Sequence, residues 1–75
     1  MTAVEAMFRY GLPPGEREMS ALRQMSDVYG IRRVQLDEKA RTVRVEYDAT
    51  RFSAAVVENL LRKAGFNVLE KFALV

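Results

Sequence analysis

The chemistry open to this chain is bounded first by the side chains it lacks. It contains no His and no Cys. That removes imidazole and thiolate metal ligands, disulfides, the commonest general base and the commonest low-pKa nucleophile. Thioethers remain at Met1, Met7, Met19 and Met25, and thioether sulfur is a soft ligand suited to Cu(I). Met19 and Met25 also fall at the spacing of a buried helical stripe, where flexible thioethers fill gaps, and that reading is the stronger one. Gly11 and Gly15 flank Leu12-Pro13-Pro14 just before a helix start, in the manner of a phosphate-cradling loop. The two prolines withdraw two of the amides such a cradle needs, and no Gly-Lys-Ser/Thr follows. Glu16 and Glu18 form a carboxylate pair by spacing, yet a place in the first turn of a helix explains them as compensation of the helix dipole. Asp37, Glu38 and Asp48 are turn residues by type. An enzyme reading has no residue to rest on, and no cofactor is expected.

The elements that position these residues follow from the apolar pattern. Val4 to Tyr10 reads as a strand with Val4, Ala6, Phe8 and Tyr10 on one face. Gly11-Leu12-Pro13-Pro14-Gly15 ends it. Glu16 to Tyr29 reads as a helix with a stripe of Met19, Leu22, Met25 and Val28, stopped by Gly30. Ile31 to Leu36 and Thr42 to Tyr47 read as two strands, with Val34 and Leu36, then Val43, Val45 and Tyr47, pointing inward. The polar run 37–41 between them is short enough for a hairpin. Ser53 is a good N-cap for a second helix, with Phe52 and Val57 placed to staple its start. Val57, Leu60, Leu61 and Ala64 form its apolar face, and Gly65 fits a left-handed C-terminal position. Asn67 to Val75 reads as a last strand. The order β-α-β-β-α-β predicts an α+β, ferredoxin-like sandwich: a four-stranded antiparallel sheet with two helices on one face.

With 75 residues the chain is a single domain, 1–75, that buries only about 60% of the surface its unfolded form exposes. Its 49% hydrophobic and 29% charged residues are ordinary for a globular domain, and no segment is long enough for membrane insertion. The N-terminal residues lack the basic and long apolar regions of an export signal, which predicts a cytoplasmic location. Net charge is +2, so nucleic-acid binding needs a concentrated basic face. Arg33, Gln35 and Arg44 form a short basic stripe, but Glu5 and Glu46 interrupt it. The outward residues of the third strand are Thr42, Arg44 and Glu46, none of them an aromatic on which a base could stack. Both features argue against an RNA-binding module of this topology.

Gly30-Ile31-Arg32-Arg33-Val34-Gln35-Leu36-Asp37, then Val43-Arg44-Val45-Glu46-Tyr47-Asp48, then Ser53 through Ala64-Gly65-Phe66, resembles the heavy-metal-associated domain family. That family includes copper chaperones, mercury-binding proteins and the N-terminal modules of metal-pumping P-type ATPases. The resemblance covers about residues 11 to 68. In the family, Gly-Met-x-Cys-x-x-Cys at the start of the first helix holds the metal. With Gly11 on the motif glycine, Leu12 takes the Met position, Pro14 the first Cys position and Arg17 the second. Pro14 offers no ligand, and Arg17 brings a permanent positive charge to the place where a cation would sit.

The resemblance therefore implies a member without its metal site, acting as a non-catalytic protein-interaction module linked to metal transport. The alternative is weak or conditional metal binding through non-cysteine ligands. In the family the first loop and the turn after the second helix form one docking end. The matching positions are Leu12, Pro13, Pro14, Arg17 and Phe66, and the implied partner is a metal-transport ATPase or a related domain. The usual strand order for this topology, 4-1-3-2, leaves the last strand at an edge. Phe72 and Leu74 are expected to face the helices and Ala73 and Val75 the open side beside Met7. Ala73, Leu74 and Val75 are thus candidates for weak homodimer formation.

Overall fold

In the computed structural model, which describes residues 2–73, the apolar alternation becomes six elements. They are β1 (Ala3–Tyr10), α1 (Glu16–Met25), β2 (Ile31–Asp37), β3 (Thr42–Asp48), α2 (Ala54–Lys63) and β4 (Val68–Ala73). The strands form one antiparallel sheet in the order β2-β3-β1-β4, the expected ferredoxin-like arrangement. Ala6, Phe8 and Tyr10 of β1 and Val43, Val45 and Tyr47 of β3 are buried, in one cluster with Leu22 and Met25 of α1 and Val57 and Leu61 of α2. Each large apolar side chain buried this way contributes about 1.5–3 kcal/mol.

Two bulges decide which side chains face the helices. In β2, Ile31 pairs with Tyr47 but Arg33 pairs with Glu46, so Arg32 is the extra residue. This lets Ile31, Val34 and Leu36 all face inward although Ile31 has the opposite parity. In β4, Val68 pairs with Tyr10 but Glu70 pairs with Arg9, so Leu69 is extra. Beyond the bulge the parity inverts, and Phe72 lies opposite Met7 on the open face rather than against the helices. The physical reason is Glu70, which unbroken alternation would carry to the helix side with Val68. The bulge instead pairs its carboxylate with Arg9 on the open face and turns Lys71 toward Glu58 of α2, 3.5 Å away.

Helix α1 is shorter than the expected 16–29. It stops at Met25, where the Ser26 hydroxyl donates to the carbonyl of Arg23 at 2.6 Å. The next residues turn, with Val28 N–H donating to the Met25 carbonyl at 3.0 Å. Val28 is therefore outside the buried stripe, and Tyr29 is 75% exposed. Met19 is half-buried.

Helix α2 starts and stops where expected. The Ser53 hydroxyl accepts from Val56 N–H at 3.3 Å. At the other end Gly65 has φ +104, Gly65 N–H donates to Arg62 and Phe66 N–H donates to Leu61, both at 3.1 Å. This is a Schellman closure, and it turns Phe66 back onto the helix it follows. A Cβ at residue 65 would sit 2.9 Å from Cγ of Glu18.

The turn from β3 to α2 is built on Asp48, 7% exposed. Its carboxylate accepts from Thr50 Oγ1 at 2.7 Å and Thr50 N–H at 3.0 Å, and its carbonyl accepts from Arg51 and Phe52. Those Thr50 hydrogen bonds hold its carboxyl below the usual aspartate range.

Gly65→Ala should lose about 1–3 kcal/mol in urea unfolding, because it meets both the backbone conformation and Glu18; an unchanged midpoint would reject the closure. A depressed carboxyl adds stability above its unfolded value and loses it as pH falls through the folded one. The native chain should therefore lose stability more steeply than Asp48→Asn below about pH 4, read from urea midpoints at several acid pH values.

Candidate interaction surface

The first loop, residues 11–15, is short on donors and fixed from three sides. Gly11 N–H donates to the Asn67 carbonyl at 3.0 Å, and Arg41 Nη1 donates to the Gly11 carbonyl at 3.1 Å. Tyr10 N–H donates to the Arg41 carbonyl at 2.9 Å. Arg41 has φ +55, a left-handed residue at the β2–β3 hairpin; there Asp37 Oδ1 accepts from the amides of Lys39 and Ala40. At the far end of the loop, Gly15 N–H donates to Glu18 Oε1 at 2.6 Å. Glu18 is thus half-buried and tied to the loop, which is more than dipole compensation. Pro13 and Pro14 fix φ between these anchors.

This scaffold holds Leu12 out at 70% exposure, with exposed Pro13 beside it in sequence and half-buried Pro14 next. Arg17 is exposed on the first turn of α1. Phe66 does not join them. It is 5% exposed and meets Tyr10 edge-on, with ring centroids 5.6 Å apart and planes at 74°. Its place in the expected docking set is corrected accordingly, because the Schellman turn points the ring into the core. Burial, followed by the charge of Glu38, raises the Tyr10 phenol above its usual range, so it stays neutral at physiological pH.

Leu69 takes the place that Phe66 leaves. It is 51% exposed, and a Cβ on Gly11 would lie 3.2 Å from its Cδ1. Only the bulge in β4 brings it there, and no local pattern in the sequence marks that bulge.

The remaining candidates are scattered. Met7 is on the open face and Met25 in the core on the helix side, so these two thioethers do not share a site, and Met1 lies outside the described residues. Among the described residues no three acidic side chains converge as a metal-binding group. Arg33 faces Glu46, Gln35 faces Arg44 and Glu5 faces Glu46, which leaves the basic stripe broken as expected. Ala73 pairs with Ala6 at the end of β4, whereas Leu74 and Val75 lie outside the described residues. Among the described residues no helix is long and apolar enough to cross a membrane.

No protein-family model and no curated protein matches the chain. Solved structures do. Oxidized MerP from Ralstonia metallidurans matches with a TM-score of 0.74 at 15% identity, covering 99% of this chain and 100% of that one. The CsoZ metallochaperone matches with a TM-score of 0.71 at 14% identity, covering 92% of this chain and 100% of that one. The yeast copper transporter domain CCC2A matches at 0.68 and 15% identity, covering 96% of each. The chain thus has the ferredoxin-like fold of these three structures over almost its whole length.

Leu12 and Phe66 should separate cleanly in stability. Leu12→Ser should shift the unfolding free energy by less than about 0.5 kcal/mol, whereas Phe66→Ala should cost about 3–5 kcal/mol. Equal losses in a urea titration would contradict the assignment of one to surface and the other to core.

Proposed function

We propose that this chain is a protein-interaction module on the metallochaperone fold, one whose loop presents a contact surface in place of a soft-metal site. One observation carries the reading above the rest: Leu12 is 70% exposed on a loop tied down by Asn67, Arg41 and Glu18. An apolar side chain that an ordered loop already holds outward gains burial free energy when a partner covers it, with little further ordering cost. Leu12, Pro13, Pro14 and Leu69 would supply the apolar part of that contact and Arg17 the charge. The partner class that the resemblance and the structural likeness support is a protein of metal transport, a P-type ATPase or a related domain. Cargo transfer is not part of the reading, since Pro14 and Arg17 stand where the resemblance puts thiolates.

Two measurements test this. Titrated with Cu(I) or Zn(II) against a competing chelator, the native chain should bind no metal tighter than about micromolar. Pro14→Cys with Arg17→Cys should then gain one soft-metal site; stoichiometric tight binding by the native chain would favour the metal-binding alternative. With a copper-ATPase metal-binding domain as probe, Leu12→Ser combined with Arg17→Ser should weaken association about tenfold. Unchanged affinity in the double variant would reject the docking surface.

A further inference from the structure

At the end of the sandwich opposite the first loop, Ala3 pairs with Asp48 and Ile31 with Tyr47, so the turns 26–30 and 49–53 meet. Tyr29 stands there at 75% exposure, a large aromatic with no part in the core. The Arg51 guanidinium lies over its ring, 4.0 Å from the centroid. The stem of Arg51 is seated as well: a Cβ on residue 30 would come within 3.1 Å of its Cδ and would collide with Phe52 Cε2. Gly30 also has φ +101, so the seat is open only to glycine. The turn that carries Arg51 is the one Asp48 organises, with Arg51 N–H donating to the Asp48 carbonyl at 3.0 Å.

Ring, stem and turn thus order this guanidinium before any ligand arrives, which removes much of the cost of ordering it on binding. The ring covers one side of the guanidinium, and the planar N–H fork of an arginine suits an oxyanion. Among the described residues it has no ion pair. Arg32 lines the same depression. Two carboxylates line it too, Asp27, which is exposed, and Asp48, which is committed to Thr50.

We infer that this end binds an acidic segment of a protein partner. A carboxylate of the segment meets the Arg51 guanidinium, and an adjacent apolar side chain packs on Tyr29 and half-exposed Val28. Tyr and Arg are residue types that often dominate binding energy, and here they form one pre-assembled unit. A nucleic acid fits less well, because a phosphate backbone needs a run of cations, whereas a single carboxylate needs one planar fork. The surface shares no residue with the first loop, so it stands or falls separately from the function proposed above.

The test uses the full chain, isotope-labelled, and a short synthetic peptide of glutamates flanking a single leucine. Saturable amide shifts should centre on Tyr29, Gly30, Arg32 and Arg51. Arg51→Ala should weaken binding about tenfold. Arg51→Lys should lose most of it too, since the charge stays but the planar fork is gone, and Leu12→Ser should leave it unchanged. Arg51 is on the surface, so the variants should keep native spectra; the lysine form repeats the test if the alanine form does not. Any of four results would overturn the inference: no saturable shifts at millimolar peptide, shifts centred on 12–17, native affinity in both Arg51 variants, or equal saturation by inorganic phosphate alone. Tighter binding of a single-stranded RNA of matched charge would overturn it in favour of a nucleic-acid surface.

Discussion

The edge-on contact between Tyr10 and Phe66 joins the parts of this molecule that the rest depends on. Tyr10 is the last residue of a central strand and Phe66 the first beyond the closure of α2. Their contact, worth about 0.5–1.5 kcal/mol beyond the area it buries, locks helix, strand and loop into one corner. Positive φ at Gly65 is what lets Phe66 reach it. Once Phe66 is seated, Asn67 is in place to accept from Gly11, and the first loop has its anchor. The exposure of Leu12 is therefore a product of core packing at its neighbours rather than a looseness of the loop.

Much of this was legible in the residues. The alternation of Val43, Val45 and Tyr47 needs no tertiary information, and Ser53 and Gly65 mark the ends of α2 through local hydrogen bonds alone. The end of α1 was not legible. Val28 continues the apolar spacing, and spacing is indifferent to whether the backbone has already stopped being helical. The Ser26 hydroxyl and the following turn decide it. Neither was β4, where Val68, Glu70 and Phe72 read as one face. The bulge at Leu69 arises from partners distant in sequence, Arg9 for Glu70 and Glu58 for Lys71, and only the folded sheet brings them close. The candidate surface divides likewise: Leu12, Pro13, Pro14 and Arg17 are positions that the family resemblance marks, whereas the burial of Phe66 and the exposure of Leu69 required the folded register.

The electrostatics divide the molecule in a similar way. Most charged side chains on the open face are met by a neighbour of opposite sign or by solvent, and exposed pairs of that kind contribute little. Two cationic features stand apart at opposite ends, Arg17 on the first turn of α1 and Arg51 over Tyr29. Each is carried by a segment whose backbone is fixed by hydrogen bonds, so each offers direction as well as charge. A fold of this size thereby presents two chemically different ends.

Arg41 carries one more consequence. Its carbonyl and its guanidinium both grip the chain at Tyr10 and Gly11, from a hairpin thirty residues further along. The outline of the loop is thus written partly at a position that contributes nothing to the loop's own composition. Changes at residues 12 and 17 can alter what this corner offers while leaving the anchors of the loop untouched. Shape and chemical content are encoded separately, and such a corner can exchange one trade for another without being rebuilt.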